Sequence, residues 1–336
     1  MARQEATKLD HSTPYANLTP DTVLDAIEAA GFAVNGSLLA LNSYENRVYQ
    51  VGLNDGGFVV AKFYRPGRWD TATIQEEHDF SRELATAQIP VVAPLANPSG
   101  ETLHHHAGYA YAVFPRQGGR PPELDDPEHL RWLGRFLGRI HAVGATRRFA
   151  HRPALTLQRF GYDALAFLLA SGRVPTELEH NFRLAAESLL QQVSDRFEAV
   201  GPVRQRRLHG DCHPGNILWT GHGPHFVDLD DCMTGPAIQD LWMLLSGNRP
   251  DMQRQLGLLL EGYQAFFDFE PLELQLIEPL RALRLLHYSA WLAARWADPA
   301  FPLAFPWFNT PRYWEDQLNT LREQAERLTE PVLELP

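Results

Sequence analysis

The sequence predicts an α+β chain, a small antiparallel β-sheet with a companion helix followed by a mostly helical remainder. Short runs rich in β-branched and aromatic residues, separated by turn-forming residues, fill most of positions 38–114. From Pro127 onward apolar residues recur at helical spacing instead, beginning with Leu130, Leu133, Phe136, Leu137 and Ile140. Between the two regions, Pro115-Arg116-Gln117-Gly118-Gly119-Arg120-Pro121-Pro122 breaks both periodicities and has the composition of a hinge.

Each element follows from local signals. Residues 1–17 are polar and expected to be loose. Thr19-Pro20-Asp21 starts a helix with Val23, Leu24 and Ile27 inward, and Gly31 ends it. Runs 38–41 and 47–53 read as strands, and Asn54-Asp55-Gly56-Gly57 turns the second into a third, Phe58 to Tyr64. A helix over 73–87 presents Ile74, Phe80 and Leu84 on one face. His104, His105 and His106 lie in a breaker-rich stretch and are expected to be a solvated hairpin end, not a metal site; Ala110 to Phe114 is the last strand before the hinge. Helices are expected at 127–143, 161–171, 176–200, 237–246, 251–267, 272–297 and 311–328. Tyr288, Trp291, Trp296 and Trp307 are expected to fill the helical core or line its groove. The division is a loose segment 1–17, an N-lobe 18–115, a hinge 116–122 and a helical C-lobe 123–336.

Composition excludes several classes. The chain has 336 residues, 44% of them hydrophobic, enough for one large or two modest cores. Thirty basic against 41 acidic residues leave a net charge of −11, which argues against nucleic acid as a partner. No 18-residue apolar run exists and Met1 to Ala6 lacks an apolar signal core, so no membrane association is expected and the location should be cytoplasmic. Cys212 and Cys232 are too few for a disulfide framework. They flank the most polar turn of the chain, which suggests thiol oxidation as a way of silencing it.

That turn is Leu208-His209-Gly210-Asp211-Cys212-His213-Pro214-Gly215-Asn216, followed after a short hairpin (Ile217 to Trp219, then His225 to Val227) by Asp228. Phosphoryl transfer from ATP needs a carboxylate to orient a hydroxyl and take its proton, and oxygen ligands to hold Mg²⁺. Asp211 fits the first task, and Asn216 with Asp228 the second; the five-residue step from Asp to Asn also occurs in the catalytic loop of protein kinases. The expected architecture is therefore a bilobal protein-kinase-like fold, with an antiparallel N-lobe sheet and a mostly helical C-lobe. His209 is expected to brace the loop by packing; a zinc site of His209, Asp211, Cys212 and His213 is disfavoured because neighbours in one turn rarely converge on a tetrahedral ion. Asp230 and Asp231 either assist the metal or are solvated. Asp240 either braces the turn from below by accepting backbone N–H bonds or answers the dipole of its own helix.

Upstream, Lys62 stands alone in a strand, where a kinase places the lysine that pairs nucleotide phosphates; Glu77 is its expected partner and Glu76 the second choice. No Gly-rich loop precedes it. Ser43, in Leu41-Asn42-Ser43-Tyr44-Glu45-Asn46-Arg47, sits where a hydroxyl and backbone N–H groups would cap phosphate oxygens, although a plain polar hairpin loop has the same composition.

With these residues assembled, the chain resembles the bacterial stress response kinase A family, in the aminoglycoside phosphotransferase-like branch of the kinase superfamily. The resemblance rests on Leu41 to Gln50, Lys62 to Pro66, Leu208 to His213, Gly215 to Trp219, Phe226 to Asp231, Gly235 to Leu245 and Trp296 to Pro302, and it spans about residues 20 to 330. It implies an ATP- and Mg²⁺-dependent serine/threonine protein kinase acting on protein substrates in a stress response, monomeric and cytoplasmic. It also implies that Asp228 counts with Asp211 as an active-site residue and that Ser43 contacts the nucleotide. Two features point elsewhere. Gly210 replaces the arginine that reads a phosphorylated activation loop in many protein kinases, and Asp240 follows Asp228 by only twelve residues, leaving no room for a long activation segment. Small-molecule kinases share both features, so an amino alcohol, sugar or aminoglycoside acceptor remains the alternative.

Overall fold

The Thr19 side chain accepts the Thr22 amide and Pro20 fixes the first turn, so the computed structural model, which describes residues 13–334, opens with helix α1 (Pro20–Ala29). Most of the segment expected to be loose, residues 1–12, lies outside the described residues. There follow β1 (Val34–Leu41), β2 (Arg47–Leu53), β3 (Phe58–Phe63), α2 (Thr71–Thr86), β4 (His104–His106) and β5 (Tyr109–Pro115). The strands form one antiparallel sheet in the order β1-β2-β3-β5-β4.

Alternation along β3 decides which side chains are buried against α1. Val59, Ala61 and Phe63 join Val23, Ile27, Val51, Tyr109 and Tyr111 in one apolar cluster. Lys62 therefore points to the other face, between Val48 and Ala112 on the neighbouring strands. The histidine run is a hairpin end that is only partly solvated, with His105 exposed and His106 half-buried. His104 is buried in β4 with its ring 5.3 Å from that of Tyr111, because pairing with β5 turns alternate residues inward.

The remaining elements are α3 (Pro127–Gly144), α4 (Asp163–Ala170), α5 (Thr176–Val200), β6 (Arg206–Leu208), β7 (Ile217–Thr220), β8 (Gly223–Phe226), β9 (Met233–Gly235), α6 (Ile238–Trp242), α7 (Arg249–Tyr263), α8 (Ile277–Arg295), α9 (Ala300–Ala304) and α10 (Pro311–Arg327). The α+β class is as expected. The chain divides into two compact units, and the division is not linear. The first contains the described residues up to His78 with Ala93–Arg116 and Ala294–Pro306; the second contains Asp79–Val92, Gln117–Ala293 and the described residues from Trp307 onward. Residues 294–306, read from sequence as part of the helical lobe, thus belong with the sheet, and ion pairs of Arg295 and Asp298 with Glu45, Arg47 and Arg65 account for it. Tyr288 and Trp307 are exposed and do not fill a core; Tyr288 stacks on Trp291 with ring centroids 5.7 Å apart.

In the second unit α3 and α7 pack with their backbones close together, and glycine makes that approach possible. A Cβ on Gly134 would stand 2.0 Å from the Leu259 carbonyl oxygen, and one on Gly262 2.1 Å from that of Arg131. This contact fixes the helix that carries His141 toward the turn at Asp211. Gly134→Ala should lower stability by roughly 1–3 kcal/mol, as overpacking does. Gly118→Ala, where a Cβ meets nothing within 4 Å, should change it by less than about 0.5 kcal/mol. Urea unfolding of both variants checks the pair.

Candidate active site

The polar turn lies between β6 and the β7–β8 hairpin, and its position is set from beneath by one buried carboxylate. Asp240, in the first turn of α6 and fully buried, accepts the backbone N–H of His209 at Oδ2 (2.9 Å) and that of Gly210 at Oδ1 (2.8 Å). Gln239 donates to the Gly210 carbonyl at 3.0 Å. Of the two roles open to Asp240 from sequence, the structure shows the bracing one. Gly210 itself has φ +86°, and a Cβ there would meet the Asp231 carbonyl oxygen at 2.2 Å, so no arginine fits. His209 donates from Nε2 to the Val227 carbonyl at 2.9 Å, which ties the turn to the residue before Asp228.

Behind Asp240 runs a buried polar chain that the sequence did not reveal. The His141 ring donates from Nε2 to Asp240 Oδ2 at 3.0 Å and accepts at Nδ1 from the Tyr263 hydroxyl at 2.9 Å. Burial holds His141 below its ordinary pKa even though Asp240 opposes this, which suits that neutral tautomer. Arg206 donates to the Tyr263 oxygen (3.3 Å) and to Glu273 (3.0 Å), and Glu273 accepts the Ile238 amide at the head of α6 (2.8 Å). Arg206 sits in a three-residue strand, β6, next to a second arginine, Arg207. Both are buried, Arg207 against Glu83 at 2.7 Å and over the Phe80 ring.

Asp211 projects from this fixed turn with both carboxylate oxygens engaged. Arg284 of α8 donates to Oδ1 at 2.7 Å, Asn216 to Oδ2 at 3.4 Å, and His213 Nε2 lies 3.5 Å from Oδ2. Burial alone would raise its pKa, but the His213 hydrogen bond and the Arg284 charge outweigh it and hold the carboxyl well below the usual range. Asp211 is ionised and only weakly basic. Asn216 spends its amide donors on Asp211, with a second bond of 3.0 Å to the Asp211 carbonyl, which turns its Oδ1 away from that residue. Asp228 has φ +58°, a left-handed conformation that Asp tolerates better than most residues, and the Val227 amide donates to the Asn216 carbonyl at 3.0 Å. Asn216 and Asp228 are thus held on two chain segments joined by backbone bonding.

Among the described residues no cluster of three or more His, Cys, Asp or Glu could hold a metal ion. An amide oxygen and a carboxylate suit a hard cation that takes its other oxygens from phosphates and water, which is how Mg²⁺ is commonly held beside a nucleotide. Cys212 and Cys232 are fully buried, and burial together with Asp240 and Asp211 pushes the Cys212 thiol well up. This removes the basis for redox silencing at Cys212, since a thiolate is what oxidises.

In the first unit Lys62 Nζ lies 3.3 Å from Glu77 Oε1, with both side chains buried. Tyr64 donates to the same Glu77 oxygen at 3.4 Å, and the Tyr64 hydroxyl lies 2.7 Å from His78 Nε2. Ser43 donates from Oγ to the Asn46 carbonyl at 3.0 Å, closing the loop between β1 and β2. The structure therefore brings Asp211, Asn216 and Asp228 together on the second unit, and places Ser43, Lys62 and Glu77 on the first.

The sequence matches the model of the phosphotransferase enzyme family over residues 37–277. It is 46% identical over 321 residues to stress response kinase A of Escherichia coli K12, covering 96% of this chain and 97% of that one. The chain belongs to the stress response kinase A group of this phosphotransferase family. Another relative in the group, the serine/threonine protein kinase RdoA of Salmonella typhimurium, is 45% identical over 97% of this chain and 98% of its own length. Among solved structures, an amicoumacin kinase in complex with AMP-PNP and Ca²⁺ superposes with a TM-score of 0.71 at 18% identity, covering 94% of this chain and 96% of that one. A microcompartment-associated aminopropanol kinase gives 0.68 at 20% identity, covering 91% and 100%. These likenesses show that the chain has the kinase-like phosphotransferase fold. Kinase activity and ATP as co-substrate follow from the family. No helix among the described residues is long and apolar enough to cross a membrane.

Sequence reasoning missed Arg284, His141, Tyr263 and the Arg206–Glu273 pair. His141 ends an otherwise apolar stripe, a faint signal; Arg284 is one exposed arginine among many and gives none. Glu273 also generates a pH dependence. Burial pushes its carboxyl up to about 7, with Arg206 and the Ile238 amide only partly offsetting it. An unfolded glutamate releases its proton near ~4.3, so from there to about pH 7 the folded chain binds more protons and stability falls as pH rises. Glu273→Gln should flatten that part of the stability–pH curve, which urea unfolding of both proteins at pH 5 and pH 7.5 measures.

Proposed function

We propose that this kinase transfers the γ-phosphoryl group of ATP to serine or threonine hydroxyls of protein substrates, as a cytoplasmic monomer serving a bacterial stress response. The observation that carries the reading is Asp211, held ionised and oriented on a rigid turn between Arg284, His213 and Asn216. Such a carboxylate suits a hydroxyl acceptor. It aligns the oxygen with the phosphorus and receives the proton late, as the new O–P bond forms and the bond to the β-phosphate oxygen breaks, releasing ADP.

Asn216 and Asp228 are the residues assigned to Mg²⁺, which when bound neutralises phosphate charge and orients the nucleotide. Asp228 thereby shares the catalytic role with Asp211. Ser43 and Lys62 are assigned to the nucleotide's phosphates, with Glu77 keeping the lysine extended. Arg284 places positive charge beside the acceptor position. That favours a neutral side-chain hydroxyl over an acceptor carrying an ammonium group next to its hydroxyl, and it supports a protein substrate over an amino alcohol or aminoglycoside. The name of the Salmonella typhimurium relative supports the same acceptor class.

Incubation with labelled ATP and a cell lysate tests the acceptor. Label on serine and threonine of proteins is expected; label confined to small molecules would replace this reading with the small-molecule one. Asp211→Ala should lower turnover by ~10²–10⁴ while leaving AMP-PNP binding intact. Nucleotide affinity and initial rates, measured on the same preparation, check both halves of that expectation.

A further inference from the structure

The segment Trp296–Pro302 is one of the blocks that carry the family resemblance, yet nothing in the phosphoryl-transfer reading uses it. Its place in the fold is specific. Asp298, only 3% exposed, accepts Arg65 Nη1 at 2.9 Å and Arg47 Nη2 at 3.3 Å, and its own Oδ1 also accepts the Ala300 amide at 3.1 Å. Three residues earlier, Arg295 grips Glu45 with both arms of its guanidinium, 2.7 Å to Oε2 and 3.1 Å to Oε1. Arg65 and Arg68 lie 3.8 and 3.7 Å from the same carboxylate. Farther along, the Phe305 ring meets Tyr44 edge-on with centroids 4.8 Å apart.

Tyr44, Glu45 and Arg47 belong to the loop between β1 and β2 or its edge, and Arg65 and Arg68, which follow β3, join the same ionic cluster. Arg47 opens β2 and donates back to the Tyr44 carbonyl at 3.1 Å. Asn46, buried, accepts the Arg65 amide at 3.1 Å. No glycine occurs between Leu41 and Arg47, so the loop does not gain its shape from backbone freedom. It is held by side chains from a distant part of the sequence. A loop fixed in this way has little conformational entropy left to lose when a ligand binds it.

We propose that Asp298 and Arg295 are positioning residues for nucleotide binding: residues 294–306 strap the β1–β2 loop into the one conformation that receives the phosphates. The proposal rests on the reading that this loop, through Ser43 and its N–H groups, contacts the nucleotide. The strap does the work that a Gly-rich loop does elsewhere by flexing around its ligand. The loop should therefore be rigid before nucleotide arrives.

The test compares Asp298→Asn, Arg295→Ala and Arg295→Lys with the parent for AMP-PNP affinity, KM for ATP, kcat and Tm. Asp298→Asn keeps the shape and removes the charge, and Arg295→Lys keeps a charge but loses the two-armed grip. Asp298→Asn and Arg295→Ala should each weaken AMP-PNP binding and raise KM about tenfold with kcat within about twofold, and Arg295→Lys should recover part of the loss. Unchanged affinity with a lowered Tm would overturn the proposal, since that is what a purely structural clasp would give. Ser43→Gly separates the two levels of the argument. If it weakens binding and Asp298→Asn does not, the strap fails alone; if neither changes binding, the assignment of the loop to the nucleotide fails as well.

Discussion

The arrangement at Asp211 depends on the buried Asp240 carboxylate. Two consecutive backbone amides, those of His209 and Gly210, point into the protein, where water cannot satisfy them, and both end on Asp240. Leaving one such donor unpaired costs about 1–3 kcal/mol, so the pair locks the local backbone more firmly than the turn's own sequence would. From that fixed point His209 reaches the Val227 carbonyl, and the Val227 amide reaches the Asn216 carbonyl. Asp211, Asn216 and Asp228 thereby inherit one frame. Positional error is what phosphoryl transfer tolerates least, because the protein contributes mainly alignment and charge.

Within each unit the chain uses buried ionic contacts repeatedly. Lys62–Glu77, Arg206–Glu273 and the pairs of Asp298 all lie among side chains with little exposure. A buried pair of this kind is a poor source of net stability, since desolvation cancels most of the attraction. It is strict about geometry, however, because removing one partner strands the other. Each pair fixes something a hydrophobic contact would leave free to slide: the direction of a lysine, the head of α6, the shape of the β1–β2 loop. Arg284 is different, since its side chain is exposed; its contact orients the Asp211 carboxylate and helps to keep it ionised.

Much of this was legible in the sequence. The strand and helix pattern was readable because burial imposes periods of two and 3.6 residues, and the long helices α3, α5 and α10 lie close to their expected limits. The turn from His209 to Asn216 was readable because its chemistry is concentrated in a few adjacent positions. The bracing role of Asp240 was visible as one of two options, and the choice between them depends on where the turn lies in three dimensions. Short strands β6 and β9 were not visible, because three residues carry no period and Arg206 and Arg207 look like surface charges until their distant partners are known. The same reason hid Arg284, 73 positions from Asp211, and the transfer of residues 294–306 to the sheet-bearing unit. Contacts between residues far apart in sequence leave no local trace.

Residue-resolved amide hydrogen exchange on the parent protein and on Asp240→Asn tests whether Asp240 holds the turn. The His209 and Gly210 amides should be among the slowest to exchange in the parent. In the variant they should lose that protection together with their neighbours through Asn216, while α5 and α10 exchange as before. Rapid exchange of those two amides in the parent, or protection that survives the substitution unchanged, would contradict it.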